Sequence, residues 1–469
     1  MDSVVDIAEQ VRRGARRAVD VVTECFRAID RLNPTLHAFV HLDRDGALSA
    51  ADSIDGQVAR GEDAGLLAGV PFGVKDLQDC RGMPTTQGSL LLKGTPAAEE
   101  DSLLVARLRR AGGIPVGKTA ASEFGVDSVT HTRAWGTCRN PWDPARTPGG
   151  SSGGSASAVA AGMVPFCTAS DGGGSIRSPA SFCGLLGHKP SFGRIARPDP
   201  QRAPFSVWGA LTTTVSDTAR ILDVVSGPDE RDKTSLPAPS VSFAGVIEEL
   251  PVGGLRAAWS ADLGYVVVDP EIARGAARAA TALVEAAGLE MVDEVLLPAN
   301  ALVAWLPLAA FELRVELEEA GFWPDRADEL GETTRRVLSY AEEASAESLA
   351  RSQGELMRIE QQVGSLFREI DVLLTPTVAC AAFAAEGPIP TEIDGRDATW
   401  SLAGEPLMML ANVAWNPAVS VPAGLTGEGL PFGIQIMGKH RADEVVLRLA
   451  RILERTCPWE RLAPVGRPG

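Results

Sequence analysis

The chain has 469 residues, 45% of them hydrophobic and 22% charged, a globular composition that allows a large buried core and argues against disorder. Its formal net charge of −17 has the wrong sign for nonspecific binding to nucleic acid, where lysine and arginine must neutralise phosphates. The longest apolar candidate, residues 295–311, is too short to span a bilayer and is interrupted by Pro298, Asn300 and Pro307, so no membrane association is expected.

The first ten residues, MDSVVDIAEQ, carry acids early and lack the basic-then-apolar order of a secretory signal. Seven cysteines, dispersed and without a CxxC pair, fit free thiols in a reducing cytoplasm. Residues 17–32 place Val21, Val22, Cys25, Phe26, Ile29 and Leu32 on one helical stripe, and Asn33-Pro34 is expected to end that helix. The largely apolar run AGVPFGVKD (68–76) reads as a buried strand with Lys75 at its end. A helix capped by Asp101 or Ser102 and stopped by Gly112 follows, and IPVGK (114–118) is the next strand. Strand, helix, strand at this spacing is a βαβ unit with parallel pairing. Residues 227–239 form a polar, proline-rich surface loop, after which a strand at 255–260 and a helix at 270–287 restart the α/β rhythm. Residues 301–367 are mostly helical and acidic. AVSVPAG, TGEG and LPFGIQIMG form an antiparallel hairpin, and 442–454 a closing helix. With no separating linker, we read one large α/β domain over 1–469.

Two small-residue runs stand out. TPGGSSGGSASAVAAG (147–162) could be a linker, a phosphate loop or a catalytic loop. A linker should lead into polar sequence, but SASAVAAGMVPF suits a packed helix and a buried segment. A phosphate loop needs G-x-x-x-x-G-K-[ST], and no lysine follows these glycines. The second run, ASDGGGSIRSPASFCG (169–184), sets three glycines before a serine. Successive amides there can converge as an anion-binding nest, a ready oxyanion hole for a serine at its rim. Such a serine needs a base. None of the five histidines (His37, His41, His131, His188, His440) sits in a recognisable motif. The alternative is a desolvated, neutral lysine, and Lys75 is the candidate because it ends an apolar strand. Cys183 lies in the apolar stretch SFCGLLG and reads as an inert buried thiol. No H-E-x-x-H motif or Cys/His cluster is present, so neither metal nor cofactor is expected.

GVKD around Lys75, TPGGSSGGSASAVAAG and SDGGGSIRSPASFCG together resemble the amidase signature family. NPWDPARTPGG (140–150), GHKPSFGR (187–194), DVLLTPT (371–377) and LPFGIQIMG (430–438) extend the resemblance over nearly the whole chain. It implies an α/β fold: a large mixed, mostly parallel β-sheet sandwiched between layers of α-helices. It also implies a catalytic core at about 65–200 and a variable, mostly helical pocket region at about 300–370. The activity implied is amide hydrolysis by a Ser–cis-Ser–Lys triad. The family's catalytic serines stand 24 residues apart, which selects Ser151 and Ser175 over Ser152, Ser170 and Ser178. Ser175 would then be the nucleophile, Ser151 the proton bridge after a cis Gly150–Ser151 peptide, and Lys75 the neutral base. The amides of Gly172, Gly173, Gly174 and Ser175 would form the oxyanion hole. Two positions depart from the family pattern: Gly172 replaces a bulkier residue beside the oxyanion loop, and His188 stands where leucine is common.

Asp171 and Arg177 flank the nucleophile, and a loop-holding pair is the expected role. The substrate implied is a small or aryl amide, an anilide or a carbamate, and the resemblance leaves room for a homodimer. The rival reading is the glutaminase component of a tRNA-dependent amidotransferase, with a partner carrying the tRNA. The pocket is expected around 83–92, 130–135 and 301–326, where Trp135, Trp305, Phe311, Phe322 and Trp323 are aromatic, with Trp415 a further candidate.

Overall fold

The computed structural model describes residues 2–199, 201 and 204–466. Eleven strands join in one sheet. In chain order they are Phe39–Leu42 (β1), Pro71–Lys75 (β2), Ile114–Thr119 (β3), Phe166–Asp171 (β4), Leu186–Lys189 (β5), Val207–Thr212 (β6), Arg256–Trp259 (β7), Glu290–Met291 (β8), Val372–Pro376 (β9), Ala418–Leu425 (β10) and Pro431–Gly438 (β11). Across the sheet the order is β1-β3-β2-β4-β6-β5-β10-β11-β9-β7-β8. The sheet is mixed. The pairs β2/β3 and β2/β4 near one end and β7/β9 and β7/β8 near the other are parallel. Between them β4/β6, β6/β5, β5/β10, β10/β11 and β11/β9 are antiparallel, as is the edge pair β1/β3.

Every residue of β2, β3, β5, β6, β9 and β11 is buried, the pattern of strands covered on both faces. Two large apolar clusters pack against the sheet, one running from Val4 through Val74 and Phe166 to Leu453, the other from Val129 through Leu373 to Met437. A third, much smaller cluster of Leu313, Leu317, Leu330 and Leu338 belongs to the helical region after residue 301.

The expected βαβ unit is present as β2, the helix Leu103–Arg110 and β3, paired in parallel. Ser102 occupies the N-cap position of that helix without a side-chain capping bond. The expected stop at Asn33-Pro34 is corrected. The helix Ala18–Leu36 carries Pro34 within its last turn and ends at His37, whose φ is 50°. A proline this close to the C-terminus forfeits one backbone bond. Asn33 instead pins the outgoing chain, donating to the Phe39 carbonyl (3.0 Å) and accepting its amide (2.8 Å). The helix at Pro270–Ala287 and the β10–β11 hairpin fall where the sequence places them. The acidic region resolves into helices Leu302–Glu319, Glu332–Glu342 and Ala346–Glu369. Among the described residues no helix is long and apolar enough to cross a membrane.

Candidate active site

Parallel β2 and β4 end side by side and deliver Lys75 and Asp171 to the same edge of the sheet. The crevice outside carboxyl ends of strands is where open α/β sheets bind ligands. Lys75 is completely buried, and its backbone amide bonds Thr168 Oγ1 (2.9 Å). Its Nζ touches three hydroxyls: Ser151 Oγ at 2.7 Å, Ser152 Oγ at 2.8 Å and Ser170 Oγ at 2.9 Å. Burial pulls the amine down to about 7; Asp171 opposes the shift and Arg197 adds to it. Ser151 and Ser152 also lead directly into the helix Gly153–Ala160, whose positive end disfavours an ammonium beside it. A neutral amine has two N–H groups and one lone pair, so one of the three hydroxyls must donate into it.

The Gly150–Ser151 peptide is cis. The carbonyl of Ser151 accepts from the Ser122 amide (3.2 Å). Position 150 admits only glycine at this closeness, since a Cβ there would sit 2.4 Å from the Asp127 carbonyl oxygen.

The second glycine run carries the chain from β4 into the helix Arg177–Cys183. Gly174 adopts φ 134°, open to glycine and strained for other residues. Its N–H donates to Asp171 Oδ1 (2.9 Å), as the amides of Ile176 and Arg177 donate to Oδ2. This corrects the expected oxyanion set: the Gly174 amide is already spent on a buried carboxylate. The N–H groups of Gly172, Gly173 and Ser175 have no acceptor among the described residues. The Gly172 carbonyl accepts from Trp305 Nε1 (2.8 Å), and the indole packs against Gly173, so the loop is braced from outside where the bulkier residue is missing. Ser175 is half-buried and lines the same cavity as Ser151, but no hydrogen bond joins the two.

Asp171 and Arg177 are both fully buried and form a two-pronged pair, Nη2–Oδ1 at 2.8 Å and Nε–Oδ2 at 2.9 Å. Arg177 also donates to the Met408 carbonyl, Gln435 and Asn412. Burial alone would raise the Asp171 carboxyl, but the Arg177 charge and the bonds from Arg177 and Asn412 hold it well below the usual carboxylate range. Arg177→Met removes the counter-charge and leaves a buried carboxylate. Urea unfolding should show a loss of about 3–5 kcal/mol, the usual cost of breaking such a pair from one side.

The cavity has a volume of about 800 Å³. Ser151, Ser170, Ser175, Gly172 and Gly173 form its floor, and Trp305, Leu306, Ala309, Ala310 and Leu313 an apolar wall on one helix, which also lines the cavity with Glu312, Glu316 and Glu319. Asp127 and Glu405 also line it, and Glu405 bonds Ser128. Burial raises the Glu405 carboxyl to about 8, with the negative charges of Asp127 and Asp171 adding to the effect. A second cavity, about 980 Å³, shares Asp127 and takes in His131, Thr132 and Arg133.

Of the segments expected at the pocket, 83–92 supplies Thr85 and Gln87 to the first cavity, and 301–326 supplies the apolar wall. Trp135 bonds Thr86 and stacks under Lys93 instead. Phe322 and Trp323 pack on the small leucine cluster, and Trp415 stacks on Phe192. Phe311 lines neither cavity. Cys183 is buried, its thiol pushed well above the ordinary range by burial. Two other lysines, Lys118 and Lys189, are fully buried with lowered pKa values, but their amines bond Gln78, Thr85 and the Pro190 carbonyl, outside the serine cluster.

The Amidase family profile matches residues 20–447. A glutamyl-tRNA(Gln) amidotransferase subunit from Synechococcus sp. (strain RCC307) is 35% identical, covering 96% of each chain. The acylamidase of Rhodococcus erythropolis is 32% identical over 98% of this chain and 97% of that one. A bacterial aryl acylamidase of solved structure matches 100% of this chain and 99% of its own, with a TM-score of 0.92 at 29% identity. The chain therefore belongs to the amidase family, the amidase signature enzymes, and has their α/β fold.

Proposed function

We propose that the chain is a free-standing amidase that cleaves the C–N bond of carboxamides bearing an apolar or aryl group, through an acyl-enzyme on Ser175. The observation that carries this reading is the buried Lys75 amine 2.7 Å from Ser151 Oγ, at the floor of a cavity that also holds Ser175 and unengaged glycine amides. Ser151 passes its proton to the Lys75 lone pair as it takes the proton of Ser175, whose oxygen attacks the carbonyl carbon. The amides of Gly172, Gly173 and Ser175 receive the oxyanion, and loss of one such donor costs about 10²–10³ in rate. Collapse breaks the C–N bond, and the leaving nitrogen takes the proton back through Ser151. Water then enters by the reverse route and frees the carboxylic acid. The wall of Trp305, Leu306, Ala309, Ala310 and Leu313 suits an apolar substituent, and anilides and carbamates present the same carbonyl to the same groups.

The amidotransferase relative, 35% identical, supports the second reading, a glutaminase acting in a complex. The two part on substrate. The purified chain alone should turn over anilides or carbamates faster than glutamine in a panel that also includes aliphatic amides. Turnover of glutamine only, or only with a co-purifying partner, overturns the free-standing reading.

A further inference from the structure

The apolar wall runs along one helix: its first half, with Ala301, Leu302 and Ala304, is buried in the second large cluster and Trp305 bonds the Gly172 carbonyl, whereas its far end, at Leu313, belongs to a helical cap shared with the helix Glu332–Glu342. The cap's own core is the four-leucine cluster, packed against Phe124, Val126 and Leu91. Apolar contact of this size is non-directional and does not by itself fix where a helix sits. At this far end the direction comes from a buried carboxylate. Glu123 Oε1 accepts from Ser89 Oγ (2.8 Å), and Oε2 accepts from the Gly331 amide (2.7 Å) and Thr334 Oγ1 (2.6 Å). Gly331 is the N-cap of the helix Glu332–Glu342 and has no side-chain cap of its own, so Glu123 caps that helix from another part of the chain. Arg133 also holds the carbonyls of Asp328 and Leu330, but from an exposed position.

The other side of Glu123 is the floor. Its neighbour Ser122 donates its amide to the Ser151 carbonyl (3.2 Å). A Cβ on Gly125 would stand 3.5 Å from Ser151 Oγ. Phe124, Gly125 and Val126 line the cavity between. A single turn thus bonds the cis-serine through its backbone and the cap through one side chain. Leu313 belongs both to the cap's cluster and to the cavity wall, so a shift of the cap moves the surface a substrate would meet.

We infer that Glu123 is a specificity-determining positioning residue: it sets the distance between the serine floor and the Leu313 end of the apolar wall, and thereby favours bulky acyl groups over small ones. This rests on the amidase reading above. Glu123→Ala removes all three acceptor contacts. Glu123→Gln keeps them, because its carbonyl replaces Oε2 and the Ser89 hydroxyl can turn to accept from the new amide group.

The test compares benzamide with acetamide, which differ only in the acyl group. In Glu123→Ala the ratio of their kcat/KM values should fall roughly tenfold, the scale of a small misplacement of a binding surface. In Glu123→Gln it should stay within about threefold of wild type. Hydrogen exchange over 331–342 should quicken in the alanine variant and stay slow over 153–160. Parallel losses for both amides, or an unchanged ratio in folded protein, overturn the inference. If Glu123→Ala does not fold, Thr334→Val removes one donor alone and should lower the ratio about threefold; an unchanged ratio is again fatal. If the wild type hydrolyses neither amide, nor any anilide or carbamate of the panel, the amidase reading fails by itself. Exchange over 331–342 then decides the clamp, and no quickening overturns it.

Discussion

Ser175→Ala is expected to abolish amide hydrolysis, with kcat/KM falling on the order of 10⁴-fold or more, as when the nucleophile of a serine hydrolase is removed. The prediction is sharp because geometry offers a rival. Ser151 is 2.7 Å from the Lys75 amine and could attack directly, with lysine as its base. Ser175 has no such contact. What distinguishes Ser175 is its surroundings: it is half-buried at the cavity, and the amides of Gly172, Gly173 and its own residue lack acceptors among the described residues. Ser151 has spent its carbonyl on Ser122 and its hydroxyl on the amine. A bridging Ser151 predicts a graded result, in which Ser151→Ala loses about 10²–10⁴, the usual worth of a positioned proton-transfer group, and Ser175→Ala loses everything. Mass spectrometry of a quenched slow substrate should find the acyl group on the peptide containing Ser175. An acyl group on the peptide containing Ser151, or wild-type rates in Ser175→Ala, would reverse the two roles.

Local features of this site are legible in the sequence and remote ones are not. Lys75 can be placed because its whole setting, an apolar strand with a lysine at the end, lies within nine residues. The pairing of Asp171 with Arg177 can be anticipated because they lie only six positions apart. The Gly174 amide is expected in the oxyanion hole because three glycines in a row look equivalent. Nothing in their order says that the Asp171 carboxylate folds back to claim one of them. Ser170 leaves a faint signal: on a strand it shares a face with Thr168, which bonds the Lys75 amide. The resemblance to the amidase signature family implies Ser151 over Ser152, yet both serines reach the amine. Glu405 leaves no local signal, since its bond to Ser128 spans 277 residues. The same holds for Glu123, whose partners lie 34, 208 and 211 residues away. The middle of the sheet is unreadable as well: β5 and β6 are buried on both faces, so they show no alternation, and they include glycine, histidine and threonine.

The pH profile supplies the other large effect. Burial holds the Lys75 amine at about 7 rather than 10.5, and only the unprotonated form can accept the proton of Ser151. With the amine as base, kcat/KM should rise tenfold per pH unit below about 7 and level off above it. Lys75→Met should remove that limb and lower the plateau by about 10²–10⁴. Stability carries the same sign. Between about 7 and 10.5 the unfolded chain binds the proton that the folded chain has released, so the contribution of Lys75 to folding grows with pH through that window. A rising limb could also come from Glu405, which titrates near 8 and lines the same cavity. The two are separable, because Glu405→Gln cannot titrate and leaves the lysine untouched. If the limb near 7 survives in Glu405→Gln and disappears in Lys75→Met, the amine is the base. If it survives in Lys75→Met, the proton goes elsewhere, and the bond between Lys75 and Ser151 is structural.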